Sequence, residues 1–305
     1  MTKPVFLVTG NDLAPQALAL LQDYEIVYAG EAPAEDDIVA LCGHHDPVAI
    51  IVRYSKVGAA AMDAAPSLKV ISKHGSGTDT IDKAAAQARG IPVVAAAGAN
   101  AAAVAEQALA LLLACAKSVV ALNARMHGGH WDKATHKSIE LEGRSIGVIG
   151  LGAIGLRFAR MADAMGMHVL GFDPYAKDLP AHVRPVDLDT IWRESDAISL
   201  HCPLTADNAK LINDETLAAC RRGVIIVNTA RGGLVDEPAL LRAVRSGQVV
   251  SAGLDSFAVE PMTARHPFHG DARFTLSPHI GGVTADAYVK MGVAAAQNAL
   301  AVLNA

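Results

Sequence analysis

Aromatic residues make up only 4% of this 305-residue sequence. That scarcity argues against a stacking platform for nucleic-acid bases. Positive charge is also short: 26 Lys and Arg stand against 31 Asp and Glu, a net charge of −5, with no basic tail or stripe. DNA, RNA and anionic membranes are poor partners for such a chain. The four cysteines, Cys42, Cys115, Cys202 and Cys220, lie far apart and form no C-x-x-C pair. Zinc is therefore not expected, nor is a disulfide framework. The longest apolar run, Ala108 to Ala116, is about half of what a bilayer span needs. Met1-Thr2-Lys3-Pro4-Val5 leads straight into a strand-like stretch, without the apolar core of a signal peptide. A cytoplasmic protein is expected.

Hydrophobic residues are plentiful, at 51%, and alanine dominates the stretches between short β-branched runs. The runs near Val5–Thr9, Glu25–Tyr28, Ala49–Val52, Lys69–Ser72 and Pro92–Val94 read as strands. Leu13–Asp23 and Asp82–Arg89 read as helices, the latter stopped by Gly90. A long helix is expected from about Ala101 to Met126, followed by a polar stretch around Trp131. A second series of strands follows near Ile146–Ile149, His168–Phe172, Ala197–Leu200, Val224–Asn228, Ser251–Leu254 and Phe274–Leu276. An alanine-rich helix, Ala285–Asn304, closes the chain. Such alternation implies an α/β protein with mostly parallel sheets covered by helices on both faces. Two αβ units of this kind are expected to leave a ligand cleft.

The sharpest local motif is Val148-Ile149-Gly150-Leu151-Gly152-Ala153-Ile154-Gly155, between a predicted strand and a predicted helix. Gly150 permits a tight turn, Gly152 lets the backbone approach a pyrophosphate, and Gly155 allows close helix–strand packing. The phosphates would rest on the helix N-terminus, where free N–H groups and the dipole favour anions. Asp173 ends the next strand, 18 residues beyond Gly155. A carboxylate there accepts from ribose hydroxyls and repels a 2′-phosphate. Pro174 follows with no arginine beside it, so the cofactor is expected to be NAD.

Three further segments complete a pattern: Val227-Asn228-Thr229-Ala230-Arg231-Gly232-Gly233-Leu234-Val235-Asp236, Gly253-Leu254-Asp255-Ser256-Phe257-Ala258-Val259-Glu260-Pro261, and Ser277-Pro278-His279-Ile280-Gly281-Gly282. With the glycine motif, the chain resembles the D-isomer-specific 2-hydroxyacid dehydrogenases, which include phosphoglycerate and hydroxypyruvate/glyoxylate dehydrogenases. The resemblance implies two Rossmann-like parallel-sheet domains. One is a flavodoxin-like substrate domain, discontinuous over residues 1–98 and 285–305; the other is an NAD-binding Rossmann domain over 99–284. It implies an oxidoreductase that interconverts a small 2-hydroxy acid and its 2-keto acid. Arg231 would bind the substrate carboxylate and polarise the carbonyl, His279 would be the acid/base, and Glu260 would hold its other ring nitrogen. The chemistry asks for such a set on its own terms. A keto oxygen gaining charge needs a proton donor, histidine titrates near neutrality, and a guanidinium fork suits a carboxylate.

By the same resemblance, Gly150, Gly152, Ala153, Ile154, Gly155, Asp173, Cys202, Thr229, Ala230, Asp255, Gly281 and Gly282 would contact the cofactor. Arg53, Lys73, Ser76 and Gly77, with Arg231, would contact the substrate. Where the family often reads Arg-Ser-x-Thr-Lys-Val, this chain has the shorter Arg53-Tyr54-Ser55-Lys56-Val57, which makes Tyr54 a new wall of the site. A homodimer built partly through the long helix is expected, as in the family, and the regulatory domain of long phosphoglycerate dehydrogenases is not. Formate dehydrogenases carry glutamine in place of Glu260, and corepressors of this fold carry docking extensions not evident here; both remain alternatives. His74-Gly75-Ser76-Gly77 lacks the first glycine of a nucleophile elbow. His127, His130 and His136 read as a solvated loop rather than metal ligands, and His44-His45 as an exposed turn.

Overall fold

The computed structural model describes residues 3–305; Met1 and Thr2, the start of the N-terminal stretch read above, lie outside the described residues. The chain divides into two compact units, Met1–Asn100 with Gly282–Ala305, and Ala101–Gly281. This division puts Gly282 in the first unit.

The first unit alternates β1 (Val5–Val8), α1 (Pro15–Leu18), β2 (Glu25–Tyr28), α2 (Glu35–His45), β3 (Ala49–Val52), α3 (Ala59–Asp63), β4 (Val70–Lys73), α4 (Lys83–Ala88) and β5 (Val93–Ala95). All five strands are parallel, in the order β2-β1-β3-β4-β5. That is the flavodoxin-like order. The central β3 and β4 are buried along their whole length, which their unbroken apolar character requires when helices cover both faces.

The second unit opens with α5 (Ala101–Lys117) and α6 (Val119–His127), then β6 (Ser145–Ile149), α7 (Ala153–Ala164), β7 (His168–Phe172), β8 (Val183–Pro185), α8 (Leu188–Glu194), β9 (Ala197–Leu200), α9 (Asp214–Ala219), β10 (Val224–Asn228), α10 (Glu237–Ser246), β11 (Val249–Leu254) and β12 (Phe274–Leu276). Its seven parallel strands run β12-β11-β10-β9-β6-β7-β8. Counted from β6, the first six follow the Rossmann order 3-2-1-4-5-6, with one strand added. The closing helix α11 (Ala285–Leu303) packs on the first sheet: Ser72 Oγ donates to Ala295 O at 2.8 Å, and Asn298 Nδ2 to Ala95 O at 2.9 Å. Each sheet has an apolar core on both faces.

Three local expectations need correction. The helix read as Leu13–Asp23 begins only at Pro15, because Ala14 before proline takes ψ 137°. It gives way after Leu18 to single turns such as Leu21 N to Leu18 O. The long helix read from Ala101 to Met126 breaks at Ser118, whose φ of 54° ends α5 and turns α6 through 62°. The short edge strand β8 joins the sheet where the sequence reading has no strand. By length and composition, no single helix among the described residues could cross a membrane; the bent pair α5–α6 passes that test together.

Candidate active site

Register, more than any single motif, assembles the site of the second unit. Ile149 pairs with Phe172 and Leu200, Leu200 with Asn228, Asn228 with Leu254, and Leu254 with Leu276. The next residue on each strand therefore lies along one sheet edge: Gly150, Asp173, His201, Thr229, Asp255 and Ser277. In open parallel sheets this carboxyl edge is where ligands bind.

The three glycines of the turn are there for three reasons. Gly150 has φ 93°, and a Cβ on it would lie 2.5 Å from the Cys202 nitrogen. A Cβ on Gly155 would fall 1.9 Å from the Gly150 oxygen, so α7 can approach the strand only without one. A Cβ on Gly152 would meet nothing within 4 Å, and no side chain caps α7 there. The N-terminus of α7, with Ala153 and Ile154 in its first turn, is thus left for an anion. Asp173 Oδ2 accepts from Leu151 N at 2.8 Å and Oδ1 from Tyr175 N at 2.9 Å, which fixes the carboxylate beside the turn. Each oxygen keeps a further lone pair for a ribose hydroxyl. Thr229 Oγ1 is buried with no partner among the described residues, and Cys202 is half-buried with its thiol pushed up by burial. An open helix terminus, a held carboxylate and an orphaned hydroxyl fit a dinucleotide. It would supply the hydride acceptor or donor.

His279 stands in the left-handed region, at φ 54°, which a non-glycine residue holds only when its surroundings insist. Asp255 supplies the insistence. Its carboxylate is 1% exposed and accepts from Ser277 Oγ at 2.5 Å, Ile280 N at 3.0 Å and Gly281 N at 2.8 Å. Gln107 Nε2 steadies Ser277 Oγ at 2.9 Å. Asp255 and Gly281, both read from the sequence as cofactor contacts, are thereby engaged with one another. Gly282 packs against Asn100 instead.

Glu260 Oε2 lies 2.7 Å from His279 Nδ1, while Oε1 accepts from Phe257 N at 2.9 Å. Against an ionised carboxylate Nδ1 must donate, so the exchangeable proton is the one on Nε2. Half the imidazole is exposed, at 47%. Arg231 opens a 3-10 turn at Gly232–Leu234 and donates from Nη1 to Ala230 O at 2.7 Å. Buried Asn228 holds that turn, accepting from Ala230 N at 3.0 Å and donating to Arg231 O at 2.9 Å. Gly232 presses so close to Phe257 that a Cβ would lie 1.9 Å from its carbonyl carbon. The turn of Arg231 and the loop of Glu260 are thus locked together. Glu237 adds a second tie, accepting from Ala258 N at 2.9 Å and meeting His266 Nε2 at 3.2 Å.

In the first unit, Arg53 follows β3 and Lys73 ends the paired β4. Lys73 is buried and its Nζ donates to Arg53 O. Ser76 Oγ donates to Asn100 Oδ1 at 3.1 Å on an exposed loop, with Gly77 half-buried beside it. Asn228, Gln107 and Glu237 carried no sequence signal beyond membership of a motif or a helix. All four cysteines are free. Among the described residues no cluster of three His, Cys, Asp or Glu could hold a metal.

A histidine held by a carboxylate, at the edge where a dinucleotide's phosphates would dock, suits a nicotinamide-dependent oxidoreductase. Residues 109–281 match the family model described as D-isomer specific 2-hydroxyacid dehydrogenase, NAD binding domain. A hydroxypyruvate reductase of Thermotoga maritima is 40% identical over 276 residues, covering 90% of each chain. A D-3-phosphoglycerate dehydrogenase of Mycobacterium bovis is 39% identical over 302 residues, which are 98% of this chain but 56% of that one. A solved structure of a Thermus thermophilus protein superposes with TM-score 0.90 at 34% identity, covering 98% and 97% of the two chains. The chain belongs to the D-isomer specific 2-hydroxyacid dehydrogenase family, and its class is that of NAD-dependent 2-hydroxyacid oxidoreductases.

Proposed function

We propose that this protein reduces a small 2-keto acid at the expense of NADH, with His279 as proton donor, Glu260 as its anionic support and Arg231 as the carboxylate-binding cation. The observation that carries the reading is the 2.7 Å contact between His279 Nδ1 and Glu260 Oε2. It commits one ring nitrogen and leaves Nε2 to give its proton to the C2 oxygen as the carbonyl becomes an alcohol. The reverse oxidation takes the proton back at the same atom. Arg231 offers a planar fork to the substrate carboxylate and draws charge toward the reacting oxygen.

Gly150, Gly152, Ala153, Ile154 and Gly155 hold the cofactor phosphates in this reading, and Asp173 the adenosine ribose. Cys202, Thr229 and Ala230 line the same edge, and Asp255 with Gly281 sets the histidine loop. Residues 1–98 and 285–305 serve as the substrate domain, with Arg53, Lys73, Ser76 and Gly77 toward the substrate. Hydroxypyruvate or glyoxylate is the favoured substrate class, supported by the 40% identity to a protein named hydroxypyruvate reductase. A cytoplasmic homodimer belongs to the same reading; exposed Val119, Val120, Met126 and Trp131 on and after α6 suit a partner chain.

The test is NADH oxidation over glyoxylate, hydroxypyruvate, phosphohydroxypyruvate, pyruvate and larger keto acids, repeated with NADPH and with Asp173→Ala. Turnover of a small polar keto acid with NADH ahead of NADPH is expected, and Asp173→Ala should narrow that preference. A wild type that prefers NADPH ends the role given to Asp173, and highest kcat/KM on a branched apolar keto acid ends the substrate class.

A further inference from the structure

The Arg53 side chain is unusual for a cation meant to meet an anionic ligand: it is only 8% exposed and its charge is already matched. Nη1 pairs with the Asp12 carboxylate and also donates to Asp12 O at 2.9 Å. Nη2 donates to the Tyr54 hydroxyl at 3.1 Å. The guanidinium carbon lies 5.0 Å from the Tyr54 ring centroid and 5.1 Å from that of Tyr288. Gly10 makes room for it, since a Cβ there would come within 2.8 Å of Arg53 Cδ. Of the five N–H donors of a guanidinium, three are therefore used within the protein. One Nη2 hydrogen remains, together with Nε–H, which is buried without a partner among the described residues.

We propose that Asp12 is a specificity-determining residue: it offsets the charge of Arg53 on the side open to ligand, so that the site selects a 2-keto acid with an uncharged hydroxyl on C3 and rejects the phosphate ester of the same acid. The proposal rests on the reading above that Arg53 faces the substrate. The remaining Nη2 hydrogen, on a guanidinium whose charge Asp12 offsets, suits one neutral oxygen, which can accept a hydrogen bond without needing a counter-ion. A phosphate dianion has the opposite needs. It would meet the exposed Asp12 carboxylate, 57% accessible, beside a guanidinium whose charge that carboxylate already offsets. The guanidinium carbon sits over the Tyr54 and Tyr288 rings, so a swing away from Asp12 would give up both cation–π contacts.

The experiment measures kcat and KM for hydroxypyruvate and phosphohydroxypyruvate with NADH, in the full-length wild type, Asp12→Asn and Arg53→Gln. Asp12→Asn keeps the oxygen that Arg53 Nη1 binds and removes only the charge. Wild type should favour hydroxypyruvate by about tenfold or more in kcat/KM. Asp12→Asn should cut that ratio by about tenfold, mainly through a lower KM for the phosphorylated substrate; one nearby charge commonly has that effect. A variant that is merely misfolded would lose kcat on both substrates alike. A wild type with phosphohydroxypyruvate ahead, or an Asp12→Asn ratio unchanged within twofold, overturns the role of Asp12 and leaves the dehydrogenase reading standing. Arg53→Gln with unaltered KM for both substrates, or a wild type that binds NADH yet turns over neither, overturns the underlying reading and the proposal with it.

Discussion

The two parallel sheets both set ionisable side chains just past the C-terminal ends of their strands, but they leave them in opposite states. At the edge of the seven-stranded sheet the imidazole of His279 is half exposed, with one nitrogen fixed to Glu260. At the edge of the five-stranded sheet Arg53 is buried and paired to Asp12 before any ligand arrives. The difference follows from the tasks proposed. A group that moves a proton needs one nitrogen held and the other accessible. A group that discriminates between substrates works best when its charge and direction are preset.

The contrast also runs through the backbone. Asp255 gathers three donors to hold a strained histidine loop, an arrangement suited to reproducible geometry. The loop of Ser76 in the first unit is held by a single exposed hydrogen bond to Asn100. The largest effect that can break the comparison is on chemistry. His279→Ala should lower kcat for keto-acid reduction by on the order of 10²–10⁴-fold, the usual contribution of a general acid. NADH affinity should survive, because Gly150, Gly152 and Asp173 belong to other strands. Steady-state kinetics with a fluorescence titration of NADH reads both; a near-normal kcat would remove His279 from the reaction.

Much of this was legible because the informative residues are neighbours in sequence. Gly150, Gly152 and Gly155 sit within six positions, and the reasons for each are local to the strand–turn–helix they build. His279 and Glu260 were legible only through the resemblance, since nothing in their spacing dictates a contact. The Arg53–Asp12 pair joins residues 41 apart; the resemblance points to Arg53 as a substrate contact, but nothing in the sequence marks Asp12 as its partner. The break at Ser118 carries no glycine or proline to announce it, and β8, Val183-Arg184-Pro185, is one buried residue long on its inner side. Propensity does not see what tertiary pairing decides.

A second comparison is cut closer. Each sheet sets a histidine at its carboxyl edge, buried His74 after β4 and partly buried His201 after β9. Burial pushes His74 down to about 4, helped by the nearby charge of Arg53, and His201 down to about 3. Both values lie below the ordinary 6.5, so the unfolded chain takes up protons that the folded chain refuses. The stability each contributes is present above pH 6.5 and is lost as pH falls toward the folded value. By pH 5 the loss is about 2 kcal/mol per histidine. Urea unfolding of wild type, His74→Asn and His201→Asn at pH 8 and pH 5 tests this. Lost packing lowers the stability of a variant at both pH values alike, whereas its pH dependence should be flatter by that amount. Should the units unfold in separate transitions, each substitution should flatten only its own. A slope equal to wild type in both variants would mean that these imidazoles are not neutral in the folded protein.

The smallest effect sharpens the comparison most, because it separates charge from position at the accessible site. Glu260 uses both oxygens, one for Phe257 N and one for His279 Nδ1. Glutamine at 260 keeps the size but offers a single acceptor and no charge. Losing the charge makes protonated imidazole less favourable, so reduction, which needs a proton on Nε2, should fail at a lower pH than in wild type. Oxidation, which needs Nε2 free, should extend to lower pH. Losing an acceptor acts differently: either Phe257 N or Nδ1 goes unpaired, the imidazole is less well aimed, and the plateau kcat drops at every pH. Glu260→Gln should therefore be measured in both directions from mildly acidic to mildly alkaline pH. A midpoint that moves, with opposite consequences for the two directions, assigns the carboxylate an electrostatic role. A lowered plateau with an unmoved midpoint would make Glu260 a positioning residue alone, much as Asp255 is on the other side of the same histidine.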